Sequence, residues 1–415
     1  MEVRMSMLQY LFRPRFQAHP AVDASTSPRF HVLLDAWRRT FPQSTVDPRV
    51  DLEDWAENAE QLCVALEHAQ RHLGSLELFV DDSVLASTTG QYDFGAIRAI
   101  AHPGLAPVDA VERKLNMGRP FLFGGAERRV GDFISGSKYV VMPGRDDMAA
   151  ADAYFHNPGF WEHSHRHMAF ASYDDGEGDV PAGSDLLDIL MERRDAGNAF
   201  AMVKVAATKR GIARIALGGQ SKAQLHQQLV DAFEWTLVEL AGRKDALLVQ
   251  DFVAMKHEYR VFVVDGAPVA GAGCIEEFTP MDNTGAAFDE RTREIRISED
   301  GSGRQVEARP DIVARYRKAL PGIVQDLIKG NPRMRTFVLD LCMVGDQVAV
   351  VEVNGARNAG LYAMKYDAVF AAKVAAAQRA LRAQESQDAT AQADMAHSVG
   401  QPSSAKSESR RPKVR

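Results

Sequence analysis

The sequence predicts an α/β protein of mixed α+β character, with two folded regions and a disordered C-terminal tail. Apolar residues recur alternately at helical spacing and at period two, which indicates interleaved helices and strands. A Gly- and Asp-rich run at 174–184 separates two such regions. Residues 384–415 have almost no large apolar side chains, so they cannot offset their ordering entropy by burial. We therefore expect an N-terminal α/β, substrate-side region at 1–183, a second domain at 184–383 and a disordered tail at 384–415.

Composition excludes several classes of protein. Of the 415 residues, 46% are hydrophobic and 25% are charged, as in ordinary globular proteins and unlike collagen or a coiled coil. The net charge of −7 argues against a general nucleic-acid surface, and the basic tip at 410–415 is the place where nucleic acid or an acidic partner would bind. Three scattered cysteines do not form a disulfide framework and favour a reducing cytoplasm. No apolar run reaches the roughly 18 residues of a membrane span, so no membrane partner is expected.

Periodicity places the individual elements. In the N-terminal region it predicts a helix at 54–73 and a strand at 76–82. The second domain is predicted to contain helices at 184–194, 222–241, 311–329 (interrupted at Pro321) and 363–383, and strands at 200–206, 212–216, 246–252, 259–264, 267–274, 336–344 and 347–353, with a possible strand at 294–298.

A lysine inside an apolar strand is the first candidate for chemistry. Lys204 lies in F-A-M-V-K-V-A and is followed by the loop T-K-R-G, which contains Lys209 and Gly211. A fixed ammonium followed by a flexible basic loop with backbone N–H donors suits a triphosphate. A surface lysine on an edge strand is the alternative interpretation.

The next apolar strand runs into a short connector, L-L-V-Q-D-F-V at 247–253. Such a connector offers backbone N–H and C=O groups to the edge of an adenine ring. We expect Gln250 and Asp251 beside the ring, with Phe252 and Val253 completing the connector. A core strand followed by an ordinary turn is the alternative.

An acid and an arginine then share one face of a strand. In H-E-Y-R-V-F-V-V-D-G, Glu258 and Arg260 alternate with apolar residues at period two. Glu258 can accept hydrogen bonds from ribose hydroxyls, and Arg260 can bind a phosphate or a carboxylate in a bidentate way. An exposed cross-strand ion pair of little energetic value is the alternative.

Two acids and an amide lie in the last two apolar strands. Asp340 belongs to F-V-L-D-L-C-M-V, and Glu352 and Asn354 belong to Q-V-A-V-V-E-V-N. Buried acids are unfavourable unless they are paired or bind a metal, and three oxygen ligands suit Mg²⁺. A regular two-residue hairpin at Gly345-Asp346 would put Asp340 opposite Val351 and would contradict the metal site. We therefore predict a three-residue loop or a bulge that places Asp340 opposite Glu352.

Taken together, these segments resemble the ATP-grasp superfamily over residues 184–383, in particular RimK-like ligases and the small ATP-grasp proteins carried by bacteriophages. The resemblance implies ATP and Mg²⁺ as cofactors. It also implies host cytoplasm as the location if the gene belongs to a phage. The residues that match family positions are Lys204, Gln250, Asp251, Phe252, Val253, Glu258, Arg260, Asp340, Glu352 and Asn354.

The activity implied by the resemblance is carboxylate–amine ligation through an acylphosphate, with Lys204 and Arg260 neutralising charge during phosphoryl transfer. The acid and the amine are not identified, and a peptide or a protein is one candidate substrate. Two alternatives remain: a phosphotransferase on the same fold and a nucleotide-binding module without catalysis. The second alternative rests on G-A-R-N-A-G-L-Y after Asn354, where RimK-like ligases have a Ser/Pro-Gly ending.

A histidine cluster precedes this region. His163, His165 and His167 occupy alternate positions, so on a strand they would share one face and could bind zinc. A polar rim with unrelated histidines is the more common explanation of such a pattern.

Overall fold

The computed structural model describes three short N-terminal strands, a few helical residues and most of the chain beyond residue 150. The described residues are 8–13, 61, 64, 68, 76–80, 121–125, 151, 153–174, 184–206, 211–296, 305–356 and 359–399.

A three-stranded parallel sheet belongs to the N-terminal region. Its strands are β1 (Leu8–Arg13), β2 (Leu76–Val80) and β3 (Phe121–Gly125), in the order β2-β1-β3. Parallel neighbours require crossover connections, which are usually helical. The sheet therefore agrees with the predicted α/β character of this region, and the strand predicted at 76–82 is confirmed over Leu76–Val80.

The helix predicted at 54–73 is described at three positions only. Gln61, Val64 and His68 are helical, and the rest of that segment lies outside the described residues. Val64 is buried in the same apolar cluster as Phe370, and the His68 ring lies 5.5 Å from the Phe370 ring.

The first sheet of the second region has four antiparallel strands in the order β4-β7-β5-β6. The elements around it are α1 (Pro158–His163), β4 (Met168–Ala171), α2 (Ser184–Asp195), β5 (Phe200–Val205), β6 (Ile212–Ala216), α3 (Lys222–Phe233), α4 (Trp235–Leu240) and β7 (Leu247–Asp251). Burial alternates along β5, where Ala201, Val203 and Val205 pack with residues of α2 and α3. The opposite face of β5 carries Lys204.

The single helix predicted at 222–241 is two helices. Glu234 separates them with a φ of 44°, outside the helical region. Leu237 and Leu240 on the second helix are buried in the same cluster as Phe233 on the first. Tertiary packing of these apolar residues accompanies a break that periodicity alone did not indicate.

The second sheet is antiparallel, in the order β13-β12-β8-β9. The remaining elements are β8 (Lys256–Val264), β9 (Ala267–Gly273), β10 (Arg291–Arg293), β11 (Val306–Ala308), α5 (Pro310–Gly330), β12 (Phe337–Val344), β13 (Gln347–Asn354) and α6 (Tyr366–Val399). One face of the sheet packs its apolar residues with α5, and the other packs with α6. The possible strand at 294–298 is displaced, since the observed strand is Arg291–Arg293.

Helix α5 corrects the predicted interruption at Pro321. The helix is continuous from Pro310 to Gly330, with Pro321 inside it. Proline removes one backbone hydrogen bond, but the buried face of this helix includes Tyr316, Leu320 and Leu327. Burial of that apolar face outweighs the local defect.

Helix α6 corrects the predicted end of the last helix. The helix continues from Tyr366 to Val399, past the boundary expected at 383. Ala and Gln favour helix even where no apolar face is buried. The expectation of a disordered tail therefore concerns 400–415, which lie outside the described residues. No helix in the described part of the chain is long and apolar enough to cross a membrane.

Candidate active site

The last hairpin has the bulge that the sequence predicts. Its loop has two residues, Gly345 and Asp346, because Val344 pairs with Gln347. The register then shifts, so that Leu341 pairs with Val350 while Asp340 pairs with Glu352. Val351 is the extra residue, and it turns Glu352 to the face that carries Asp340. The bulge alternative is confirmed, and the three-residue loop is not used.

Asp340 is fully buried and binds an arginine on the neighbouring strand. Arg260 lies directly opposite Asp340 in the β8–β12 pairing. Arg260 Nε donates to Asp340 Oδ1 at 2.8 Å, and Nη2 donates to Oδ2 at 2.7 Å. Burial opposes the guanidinium charge, but the Asp340 carboxylate raises the pKa of Arg260 well above its usual range.

This pair changes what Arg260 offers to a substrate. The bidentate edge predicted to hold a phosphate or a carboxylate already binds Asp340. Arg260 Nη1 also donates to the Gly360 carbonyl at 3.1 Å, and the guanidinium lies 4.9 Å from the Tyr362 ring centroid. A guanidinium has five N–H donors, so two remain for a further anion.

Asn354 connects the two acids of the hairpin. Its Nδ2 lies 3.3 Å from Asp340 Oδ2 and 2.9 Å from Glu352 Oε1. A group of positive partial charge thus already bridges the two carboxylates. Each carboxylate oxygen has two lone pairs, so Asp340 can keep Arg260 and still bind a cation. The donor set of two carboxylates and one amide fits Mg²⁺.

Glu258 lies on the same strand face as Arg260, two residues before it. Arg296 Nη1 donates to the two Glu258 oxygens at 3.3 and 3.4 Å, and Arg296 Nη2 donates to the Tyr362 hydroxyl at 3.1 Å. Burial raises the pKa of Glu258, the charges of Asp340 and Glu352 raise it further, and Arg296 and Arg260 oppose the shift. The predicted ribose acceptor therefore carries an arginine in this structure.

Lys204 belongs to the other sheet and acts on the same charges. Burial lowers the pKa of Lys204, while Glu352, Glu258 and Asp340 oppose that shift. Opposite charges act in this way at short range in a protein interior. The two sheets thus bring Lys204 into the field of the acids on β12 and β13.

The predicted adenine connector is divided between two faces of the first sheet. Gln250 pairs with Met202 on β5, and Lys204 lies on the Met202 face. Asp251 points the other way, and its carboxylate accepts from Arg193 Nε and Nη2, both at 2.8 Å. The Asp251 carboxylate is therefore used by a helix of the domain rather than presented beside Gln250.

An apolar platform next to Lys204 was not anticipated from the sequence. Ile212 on β6 pairs with Lys204 and is 57% exposed, and Phe252 is 44% exposed. The Phe252 ring lies 5.8 Å from the Phe200 ring, and the Arg214 guanidinium lies 4.9 Å from the Phe200 centroid. The period-two pattern of β5 and β6 was the available signal, because it puts these residues on the Lys204 face. Large exposed apolar groups beside a buried cation suit a planar base next to a phosphate.

The histidine cluster does not form the strand on which the zinc interpretation depended. His163 ends α1, and His165 has a φ of 48°. His163 Nε2 is 2.9 Å from Asp326 Oδ2, and ligand atoms of Glu162, His163 and Asp326 lie within 4.8 Å of one another. Between these histidines sits Arg166, whose pKa is affected by Glu352 and Tyr154 and which the motif search passed over. Lys209 lies outside the described residues.

Comparisons with known proteins identify the domain that carries this arrangement. Residues 189–374, which include every predicted site residue, match a family model of the ATP-grasp domain, the third family of its clade. The chain is similar to D-alanine–D-alanine ligase from Bacillus anthracis, at 10% identity over 92% of this chain and 100% of that chain, with a TM-score of 0.42. It is also similar to a RimK domain ATP-grasp protein from Sphaerobacter thermophilus, at 14% identity over 77% and 94% of the two chains, with a TM-score of 0.35. No curated protein matches the sequence.

Proposed function

Because residues 189–374 form an ATP-grasp domain, we propose that this protein is an ATP- and Mg²⁺-dependent ligase that joins a carboxylate to an amine. The observation that supports it best is the bulged hairpin, which places Asp340 opposite Glu352 within the field of Lys204. A structural hairpin has no need of two adjacent acids, since like charges repel. A bound cation and a polyphosphate explain both the acids and the buried lysine.

The nucleotide contacts follow from the two sheets. The base lies on the platform of Ile212 and Phe252, with Gln250 at its edge. The ribose binds Glu258 in competition with Arg296, which now occupies that carboxylate. The phosphates reach Lys204, whose buried ammonium is partly desolvated and therefore interacts strongly with an anion.

Asp340, Glu352 and Asn354 would hold magnesium. When bound, the ion neutralises phosphate charge and orients the terminal phosphoryl group. The chain contributes the remaining charge: the Lys204 ammonium and the two unused N–H groups of Arg260. These donors are fixed before the reaction, so no reorganisation is needed as charge moves from the attacking carboxylate toward the leaving ADP.

The proposed reaction has two steps. A carboxylate oxygen of the acid substrate attacks the γ-phosphorus, the bond to the β,γ-bridging oxygen breaks, and ADP leaves. The amine nitrogen then attacks the carbonyl carbon of the acylphosphate, the C–O bond to phosphate breaks, and the nitrogen loses a proton. The products are an amide, ADP and phosphate, and a peptide or protein is our first choice of substrate.

Binding tests the site without knowledge of the substrates. Titration calorimetry with a non-hydrolysable ATP analogue and Mg²⁺ compares Lys204→Met and Glu352→Gln with matched surface variants, Lys222→Met and Glu239→Gln. We expect the site variants to weaken binding at least tenfold, because each removes a charge that faces the phosphates or the ion. The surface variants should match the wild type. Equal affinity in all five proteins would refute the assignment.

Hydroxylamine tests the reaction, because it replaces the natural amine and traps an acylphosphate as a hydroxamate. The enzyme is incubated with ATP, Mg²⁺, hydroxylamine and pools of amino acids, short peptides or protein. Hydroxamate formation together with ADP release supports the ligase. A stable phosphorylated product indicates a phosphotransferase, and binding of ATP with no product in any pool indicates a module without catalysis.

A further inference from the structure

We propose that Arg166 is a positioning residue that holds the β-bulge of the last hairpin and thereby sets Glu352 opposite Asp340. Arg166 lies between α1 and β4, before the matched segment 189–374. Its Nη1 donates to the Val350 carbonyl at 2.9 Å, and its Nη2 donates to the Val351 carbonyl at 3.0 Å. One guanidinium thus binds the carbonyls of two successive residues, the second of which is the bulged one.

That contact is specific to a bulge. In a regular strand, carbonyls of successive residues point to opposite sides, so one planar fork cannot bind both. A bulge rotates one peptide and brings the two carbonyls to the same side. β13 is also an edge strand, which leaves this side of its backbone without a strand partner. The five-donor fork of Arg166 therefore matches the bulged conformation and not the straight one.

The guanidinium is held in place by a largely apolar setting. It lies 5.7 Å from the Phe160 ring centroid, and its Nη1 also lies 3.4 Å from the Ser164 carbonyl. Its buried Nε has no hydrogen-bond partner within the described part of the chain. Burial lowers the pKa of Arg166, and the charge of Glu352 acts in the opposite direction. An arginine that is desolvated and incompletely satisfied is unfavourable unless its two carbonyl bonds serve a purpose.

The purpose follows from the register. Without the bulge, a two-residue loop places Asp340 opposite Val351 and turns Glu352 to the other face. Arg166 stabilises the alternative in which Glu352 joins Asp340 and Asn354. This inference rests on the proposed function for its consequence in nucleotide binding, but the effect on the hairpin itself does not depend on it.

The test compares Arg166→Met and Arg166→Lys with the control Arg315→Met. Arg315 is 51% exposed and touches the same hairpin at its loop, 3.4 Å from Asp346. Hydrogen exchange of the segment 347–354 is followed by mass spectrometry, with 256–264 as an internal reference. We expect both Arg166 variants to speed exchange in 347–354 at least tenfold, because lysine cannot bind two carbonyls as a fork, and the control to leave it unchanged.

Calorimetry with Mg²⁺ and the ATP analogue adds a double-mutant cycle with Glu352→Gln. If Arg166 acts through Glu352, Arg166→Lys weakens binding roughly 10–100-fold in the wild type and has little further effect beside Glu352→Gln. Unchanged exchange, full rescue by lysine, or additive effects would each overturn the proposal. If Arg166→Met does not fold, the lysine variant decides. If the wild type fails to bind the analogue, the proposed function fails while the exchange result still decides the role of Arg166.

Discussion

Substituting Arg260 by methionine, Asp340 by leucine, and both together separates the stabilising role of their ion pair from its role at the site. Arg260 and Asp340 are 9% and 0% exposed, and two hydrogen bonds of 2.8 and 2.7 Å join them. Removing either partner leaves the other as a buried charge without compensation. Each single substitution should therefore cost about 3–5 kcal/mol of unfolding free energy.

The double substitution should be far less destabilising than the two singles combined. It removes both charges and leaves two smaller losses, the donor to the Gly360 carbonyl at 3.1 Å and the acceptor of Asn354 at 3.3 Å. At about 1 kcal/mol each, these amount to about 2 kcal/mol. The interaction energy in the double-mutant cycle is then at least about 4 kcal/mol.

Urea unfolding followed by circular dichroism measures the four stabilities, and calorimetry with Mg²⁺ and the ATP analogue measures binding. The double variant should fold and yet bind the analogue at least a hundredfold more weakly, because Asp340 no longer provides oxygen ligands. Additive stability changes would refute the coupling inferred from the geometry. Wild-type affinity in a folded double variant would show that the pair is structural and that Asp340 binds no metal.

Three other outcomes are expected. Ile212→Ser should weaken binding of the ATP analogue about tenfold, whereas Val238→Ser, an exposed apolar control on α4, should not; calorimetry distinguishes them. Because the pKa of Lys204 is lowered by burial, analogue affinity should fall as pH rises through that lowered pKa, below the 10.5 of an ordinary lysine, and Lys204→Arg should move the fall to higher pH; a pH-independent affinity from pH 7 to 10 would contradict this. Arg296→Ala should raise the pKa of Glu258 further, because it removes a charge that lowers that pKa. Carbon NMR of labelled glutamate, with Glu258→Gln to identify the signal, would expose an error if the titration did not move.

Local patterns account for most of the strands and for the chemistry-bearing residues. The period-two runs that predicted strands at 200–206, 246–252 and 267–274 correspond to β5, β7 and β9. The bulge was predictable because polar residues at Asp340 and Glu352 make sense together only in one register. A strand has one buried face, so side-chain parity constrains the pairing even without tertiary information.

Errors arose where long-range packing outweighs a local preference. Pro321 does not interrupt α5 because the helix buries an apolar face, and the helix predicted at 222–241 breaks at Glu234 although its periodicity continues. The end of α6 was placed too early because lack of apolar residues was taken as disorder, while alanine-rich sequence favours helix without burial.

The sequence by itself determined the order of the elements, the hairpin register and the identities of Lys204, Asp340 and Glu352 as site residues, since each follows from patterns within a few neighbouring residues. Only the tertiary structure decided the partners of the arginines. Arg260 binds Asp340 across 80 residues, Arg296 covers Glu258 across 38, and Arg166 reaches the Val350 carbonyl across 184. An arginine binds whichever acceptor the fold brings within about 3 Å, and no local pattern in the chain specifies that acceptor.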